Sequence, residues 1–391
     1  MAGLLAISLG LLQACASLGP TTPRTPDTQV LTNALERLER DGFAGQVAVA
    51  RGGETLLLAG FGPMVPGREN CQDNRQDNRQ DNRHDNRHGN GRDNRCSKRI
   101  DHTAVMPLAS LTKPFTASAI LALAAEGRIG LDDPIGQYLP GLIEAWAGVP
   151  LEALLTHTAG LPAEIVNRAW PGEARFEPIG RDTLIERVNH FAPDHAPGEG
   201  YNYSNVGYNL LAAVIEVVGE DSFEGFVAGT LLRPAGIQDI GFMLPDWHSD
   251  ELVVGRDRGE PLGHYLDRPA LDDGLGWHLR GAGDLLARPR GIVAWWQAIR
   301  EQRWLSQPWQ ERWLQPRVDK PDGTRYGYGL HFRDSPYGPV IGHTGGDFTF
   351  AVDFSYYPDH DLMIYLASAS TEHQADLLRD DLHRTLLGRP R

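Results

Sequence analysis

Short runs of strand-like sequence stand at opposite ends of this chain, with a long stretch of mainly helical pattern between them. Near the N-terminus, Gln46–Arg51 and Thr55–Ala59 read as strands joined by the turn Gly52-Gly53-Glu54. Near the C-terminus, Pro339–Thr344, Phe348–Tyr357 and Leu362–Ser368 read as three more, the last pair turned by Pro358-Asp359-His360-Asp361. Helices are expected over 28–40, over Phe115–Glu126 up to Gly127, over Val206–Val218 up to Gly219, and from about Thr371 to Leu387. Unpaired strand edges leave backbone donors and acceptors unsatisfied, so the two ends are expected to share one antiparallel sheet. The fold class is therefore α+β, with flanking helices and a helical insert, and not a doubly wound α/β fold.

With 391 residues, the chain has room for two or three modules or one large domain with insertions. One segment cannot serve a core. Between Cys71 and Cys96 runs a tandem repeat, QDNR-QDNR-QDNR-HDNR, which decays through HGNGRDNR and carries no apolar residue. It reads as a solvated loop, and in an oxidising compartment a Cys71–Cys96 disulfide would close its base. His84 and His88 lie within this repeat, but nothing there fixes a coordination geometry and no metal is expected. The resulting division is a sheet part over 31–68 and 320–391, a low-complexity insert over 69–96, and a helical part over about 110–319.

Acidic residues outnumber basic ones by 51 to 37, a net charge of −14, which argues against nucleic-acid binding. Nearly all the basic residues are arginine; the lysines are Lys98, Lys113 and Lys320. Lysine can lose its proton when desolvated and arginine effectively cannot, which draws attention to Lys113. Ser110-Leu111-Thr112-Lys113 sits where an extended segment meets a helix, with Pro114 in the first turn, where no N–H donor is needed. Three residues apart on a helix, Lys113 reaches Ser110, and a buried lysine beside a serine can act as a base. The plainer alternative is an N-capping serine and a surface lysine. Tyr203-Ser204-Asn205 follows a Pro-Gly-rich loop; a phenol there can move a proton and an amide can orient a carbonyl. His343-Thr344-Gly345-Gly346 ends a strand, where paired glycines allow close approach and the Gly346 N–H could face an oxyanion.

In this order the three motifs resemble those of the β-lactamase and penicillin-recognising serine hydrolases, closest to the class C β-lactamase, DD-peptidase and family VIII esterase branch. Ala109–Ala117, Gly130–Pro134, Leu154–Leu161 and Gly327–Leu330 resemble further family landmarks, so the likeness extends from about Gly45 to Ala369. It implies a β-lactamase/transpeptidase-like fold with a five-stranded antiparallel sheet beside a large helical subdomain. It also implies that Ser110 is acylated, that Lys113 and Tyr203 share the proton transfers, and that Asn205 holds a substrate carbonyl. The oxyanion would face the N–H groups of Ser110 and Gly346, with Thr344 and Gly345 beside them. His343 stands where most β-lactamases carry lysine; an imidazole offers a hydrogen bond more than a charge, which favours esters or D-amino-acid-containing peptides over β-lactams. Trp277, Tyr328, Asp347 and Phe348 are candidate pocket-lining residues, and His157 in the Leu154–Leu161 landmark reads as structural. No cofactor or metal is implied, and a monomer acting on a small ester, β-lactam or peptide is expected. The alternatives are a DD-carboxypeptidase or class C-like β-lactamase, or, from another class, a non-catalytic binder of cell-wall muropeptides.

The N-terminal stretch supplies an address. Residues Leu4–Leu12 form an apolar run too short to span a bilayer, and Leu12-Gln13-Ala14-Cys15 resembles a bacterial lipobox, despite Gln13 and the absence of an early Lys or Arg. Residues 1–15 read as a signal peptide and 16–30 as a tether, so export to the periplasm with a lipid on Cys15, held at the outer membrane, is the expectation. Metabolic labelling with palmitate is expected to mark the protein and to vanish in Cys15→Ala; labelling that persists in the variant contradicts this address.

Overall fold

The computed structural model describes residues 42–65, 69–70, 96–162, 165, 177–242, 247–257, 259–263, 276–347, 349–370 and 375–388, together with 33, 36, 37, 39 and 40. Cys15, Cys71, the QDNR repeat and Phe348 lie outside the described residues, as do the expected leader, tether and disulfide.

The two ends of the chain do meet in one antiparallel sheet. Its strands are β1 (Gly45–Arg51), β2 (Glu54–Phe61), β3 (Val318–Asp319), β4 (Arg325–Tyr326), β5 (His331–Ser335), β6 (Gly338–Gly346), β7 (Ala351–Tyr357) and β8 (Leu362–Ser368). They lie in the order β3-β4-β5-β6-β7-β8-β1-β2. The join is the β1–β8 pair, in register from Gly45 opposite Ser368 to Arg51 opposite Leu362. All five expected strands are present, but the sheet has eight rather than five. The additions share a cause. Strands β3 and β4 have two residues each, and β5 (HFRDS) is charged and half-exposed, so none carries an apolar alternation. Backbone pairing holds them: β5 docks on β6 from His331 opposite Gly342 to Ser335 opposite Gly338.

Period-two alternation divides the sheet's faces. On β7, Val352 and Phe354 enter the main core under the helical part, while Tyr357 packs on the other face with Leu382 and Leu386 of the C-terminal helix Ala375–Leu387. The buried Asp353 carboxylate on that outer face is held by Arg379 at 2.7 Å and accepts from Ser355 Oγ at 2.5 Å.

The helical part is built on α1 (Lys113–Ala125), which is buried on every side from Lys113 to Ala124. A helix enclosed this fully needs small or apolar residues all round, and its sequence, KPFTASAILALAA, has no polar stripe. Phe115 stacks on Trp295 of α3 (Pro289–Arg300) at 4.6 Å between ring centroids. Between them in sequence, α2 (Asn205–Gly219) starts at Ser204, whose side chain accepts the Gly207 N–H at 3.2 Å as the N-cap. Because Ser204 caps the helix, the Asn205 amide is free to point elsewhere.

Candidate functional site

Ser110 lies in a single 3₁₀ turn, Ala109–Thr112, that feeds directly into α1. Ala109 has φ of 45°, a region that costs a non-glycine residue about 1–3 kcal/mol, so the turn is held by its surroundings. On one side the hold is Gly345 of β6: a Cβ there would stand 2.3 Å from Leu108 O and 3.0 Å from Ser110 N. On the other, Thr112 Oγ1 accepts the Leu285 N–H at 3.1 Å.

Lys113 is fully buried, and its Nζ lies 3.0 Å from Ser110 Oγ, 2.8 Å from Asn205 Oδ1 and 3.0 Å from the Ala282 carbonyl oxygen. All three partners are neutral, and desolvation holds the amine well below the ordinary lysine range. As a neutral amine it has two N–H groups and one lone pair. Asn205 Oδ1 and Ala282 O can only accept, so they take the two N–H groups and leave the lone pair directed at the Ser110 hydroxyl. The Tyr203 ring lies under the same nitrogen, 4.9 Å from centroid to Nζ. Burial pushes its phenol up from its usual value, and the neighbouring Ser110 side chain opposes that shift.

His157 secures the segment that carries Tyr203 and Asn205. Its Nδ1 accepts the Ser204 N–H at 3.1 Å, its carbonyl accepts the Asn202 N–H at 2.9 Å, and its ring lies 4.4 Å from that of Tyr203. It does so at φ of 61°, another strained backbone beside the site. His343 is also buried. Its Nδ1 sits 2.5 Å from the Thr344 carbonyl, which requires an N–H there, so its Nε2 accepts from the Tyr326 hydroxyl at 3.0 Å. Both ring nitrogens are therefore engaged with the protein. Burial holds this imidazole well below its ordinary range and neutral. His331 packs 4.6 Å from it and is pushed down to about 3, chiefly by burial and then by Lys320 and Arg333.

Ser110, Lys113, Tyr203, Asn205, His343 and Gly345 thus come together. Thr344 is exposed on β6, and Gly346 ends that strand opposite Ala351. Two of the candidate pocket-lining residues, Trp277 and Tyr328, are enclosed instead. Trp277 is buried in the main core beneath the Arg280 guanidinium, 5.0 Å from its ring. Tyr328 is fully buried; its hydroxyl donates to Glu152 and its carbonyl accepts from the Trp313 indole at 2.9 Å. Neither can line an open pocket. The Asp347 carboxylate turns onto its own loop, accepting the N–H groups of Thr349 at 2.7 Å and Phe350 at 2.8 Å.

Two contributors escaped the sequence reading. Tyr326, not Tyr328, is the tyrosine of the Tyr326–Gly329 string that meets the site. The Ala282 carbonyl comes from Arg280–Gly283, where Gly281 lets the chain close in: a Cβ there would lie 2.2 Å from Tyr208 O. The run Gly281-Ala282-Gly283 was the available signal. Among the described residues no group of three or more His, Cys, Asp or Glu could hold a metal ion, and no helix is long and apolar enough to cross a membrane.

A family model described as Beta-lactamase matches residues 30–388. The chain is 28% identical over 312 residues to penicillin-binding protein 4* of Bacillus subtilis, a match covering 73% of this chain and 66% of that relative. The chain thus spans just under two thirds of that relative's length, and 40% of the length of Protein flp from Staphylococcus aureus. Among solved structures, the octameric penicillin-binding protein homologue from Pyrococcus abyssi superposes with a TM-score of 0.72 at 20% identity, over 92% of this chain and 77% of that one. A D-stereospecific amidohydrolase from Streptomyces sp. gives 0.65 at 21% identity, over 93% and 100%. With a sheet joined from both ends of the chain, a helical part set on it and a family model matching 30–388, the chain belongs to the beta-lactamase family of serine hydrolases.

Proposed function

We propose that this chain hydrolyses esters or D-amino-acid-containing amides through an acyl-enzyme on Ser110. The observation that carries the reading is the 3.0 Å contact between Ser110 Oγ and a buried Lys113 amine whose two N–H groups have acceptors of their own. The Lys113 lone pair takes the hydroxyl proton as Oγ bonds to the substrate carbonyl carbon. The negative charge that develops on the carbonyl oxygen faces the N–H groups of Ser110 and Gly346, where each such donor is worth about 10²–10³ in rate. The bond to the leaving oxygen or nitrogen then breaks, and the proton on Lys113 passes to the leaving group, with the Tyr203 phenol as the relay. Water, deprotonated by the same groups, releases the acid and restores Ser110.

The neutral, doubly bonded His343 supports esters and D-amino-acid amides over β-lactams, because this position presents no permanent charge. A DD-carboxypeptidase or β-lactamase is the second reading, favoured by the likeness to penicillin-binding protein 4*. A purely binding role would have no use for the Lys113–Ser110 contact. Export with a lipid on Cys15 remains part of the proposal.

Two outcomes are expected. Acylation should rise with pH as Lys113 loses its proton, with a midpoint well below 10.5 because burial favours the neutral amine. Lys113→Ala should lose roughly 10²–10⁴-fold in kcat/KM while keeping its melting temperature within a few degrees; a midpoint at or above the ordinary lysine value contradicts the base assignment. Separately, 4-nitrophenyl butyrate should turn over with a Ser110-dependent acyl adduct by intact mass, and a fluorescent penicillin should leave no lasting adduct. A stable penicillin adduct on Ser110 with little ester turnover moves the protein to the second reading. Neither signal contradicts both.

A further inference from the structure

Tyr201 and Lys320 stand at the outer edge of the ring cluster that surrounds Ser110. The Tyr201 ring meets His157 edge-on at 5.9 Å and Tyr326 at 6.0 Å. Its hydroxyl is buried and has no hydrogen-bond partner among the described residues. A buried phenol without a partner is unfavourable, so this donor fits a site that a ligand atom completes. Lys320 Nζ lies 5.8 Å from the Tyr201 ring centroid. Its side chain is 14% exposed, and the ammonium donates to Asp322 at 2.8 Å and Thr324 Oγ1 at 2.9 Å, which uses two of its three N–H groups.

The charges around the cluster give this pair its meaning. Burial lowers Lys113, His157, His331 and His343 from their ordinary values, which favours the uncharged form of each. Arg333, whose field reaches His331, donates to Ser355 at 2.7 Å and lies 3.7 Å from Asp353 on the opposite face of the sheet. Lys320 brings its amine over the Tyr201 ring, and the turn between β3 and β4 holds it there: Lys320 N–H donates to Thr324 O at 2.8 Å, and Asp322 Oδ1 accepts the Thr324 N–H at 2.9 Å.

We propose that the Tyr201 hydroxyl and the unused Lys320 N–H form a subsite for an anionic oxygen, a carboxylate carried by the substrate away from the bond that Ser110 attacks. This deepens the hydrolase reading and rests on it for the identity of the reacting group. Asp322 competes with the carboxylate for the ammonium and so sets how strongly the subsite selects.

The test compares 3-acetoxybenzoate with 3-acetoxybenzamide, which share the scissile ester and differ in the charge of one remote group. The readout is the ratio of their kcat/KM values, in which any change common to both substrates cancels. Lys320→Ala should lower the carboxylate-to-amide ratio about tenfold and Tyr201→Phe several-fold. Asp322→Asn should raise it, and salt should lower it in the wild type. The opposite sign for Asp322→Asn separates this account from simple damage to the turn. A ratio unmoved by both Lys320→Ala and Asp322→Asn overturns the proposal. Calorimetry keeps it distinct from the hydrolase reading: 3-hydroxybenzoate should bind Ser110→Ala more tightly than 3-hydroxybenzamide does, and lose that advantage in Ser110→Ala/Lys320→Ala. Absence of turnover with both esters would overturn the hydrolase reading alone, and equal binding in calorimetry would overturn the subsite alone.

Discussion

The placement of the Lys113 amine inside the protein is the constraint that the rest of the site satisfies. A charged ammonium taken wholly out of water costs several kcal/mol unless an anion accompanies it, and here its partners are a hydroxyl, an amide oxygen and a backbone carbonyl. The energetically cheaper state is the neutral amine, and that state is the one able to accept a proton from Ser110. The surroundings keep it so: α1 is enclosed on all sides, and the rings of Tyr203 and Tyr208 lie 4.9 and 5.7 Å from Nζ. The same desolvation keeps His157 and His343 uncharged, which removes two competing positive charges from its neighbourhood.

Holding one amine with three partners requires three separate stretches of chain to converge, and glycines make the approach possible. Gly345 brings β6 against the Ser110 turn, and Gly281 brings the Ala282 carbonyl past Tyr208. Gly329 lies against the start of α1, where a Cβ would stand 2.8 Å from Lys113 O, and its φ of 72° suits glycine as well. The strained Ala109 and His157 backbones sit within this convergence, held by neighbours on both sides. The sheet fixes the frame: β6 can reach Ser110 because β7 and β8 tie it to β1, which joins the two ends of the chain.

What could be read from sequence was local or motif-borne. The apolar runs at Gln46–Arg51 and Leu362–Ser368 announce strands because both faces of each are buried. Ser110 with Lys113 is legible because helical spacing alone brings the two side chains together. Strand β5 was not legible, since Arg333 and Asp334 give it the pattern of a surface loop and only backbone pairing with β6 makes it a strand. Tyr326 and Tyr328 look equivalent in the string Tyr326-Gly327-Tyr328-Gly329; their different destinations depend on where β4 ends. The Ala282 carbonyl has no side-chain signature; the run Gly281-Ala282-Gly283 marks a close backbone approach, and tertiary structure shows what it approaches.

The most direct measurement is an NMR titration of protein labelled at lysine Cε. With only Lys98, Lys113 and Lys320 in the chain, three signals are expected, and Lys113→Ala assigns one of them. The account predicts that the signal lost in Lys113→Ala titrates well below 10.5, as burial without an anion requires. A Lys113 signal that titrates in the ordinary lysine range would mean the amine is charged when Ser110 must be activated, and the account of the site would be wrong.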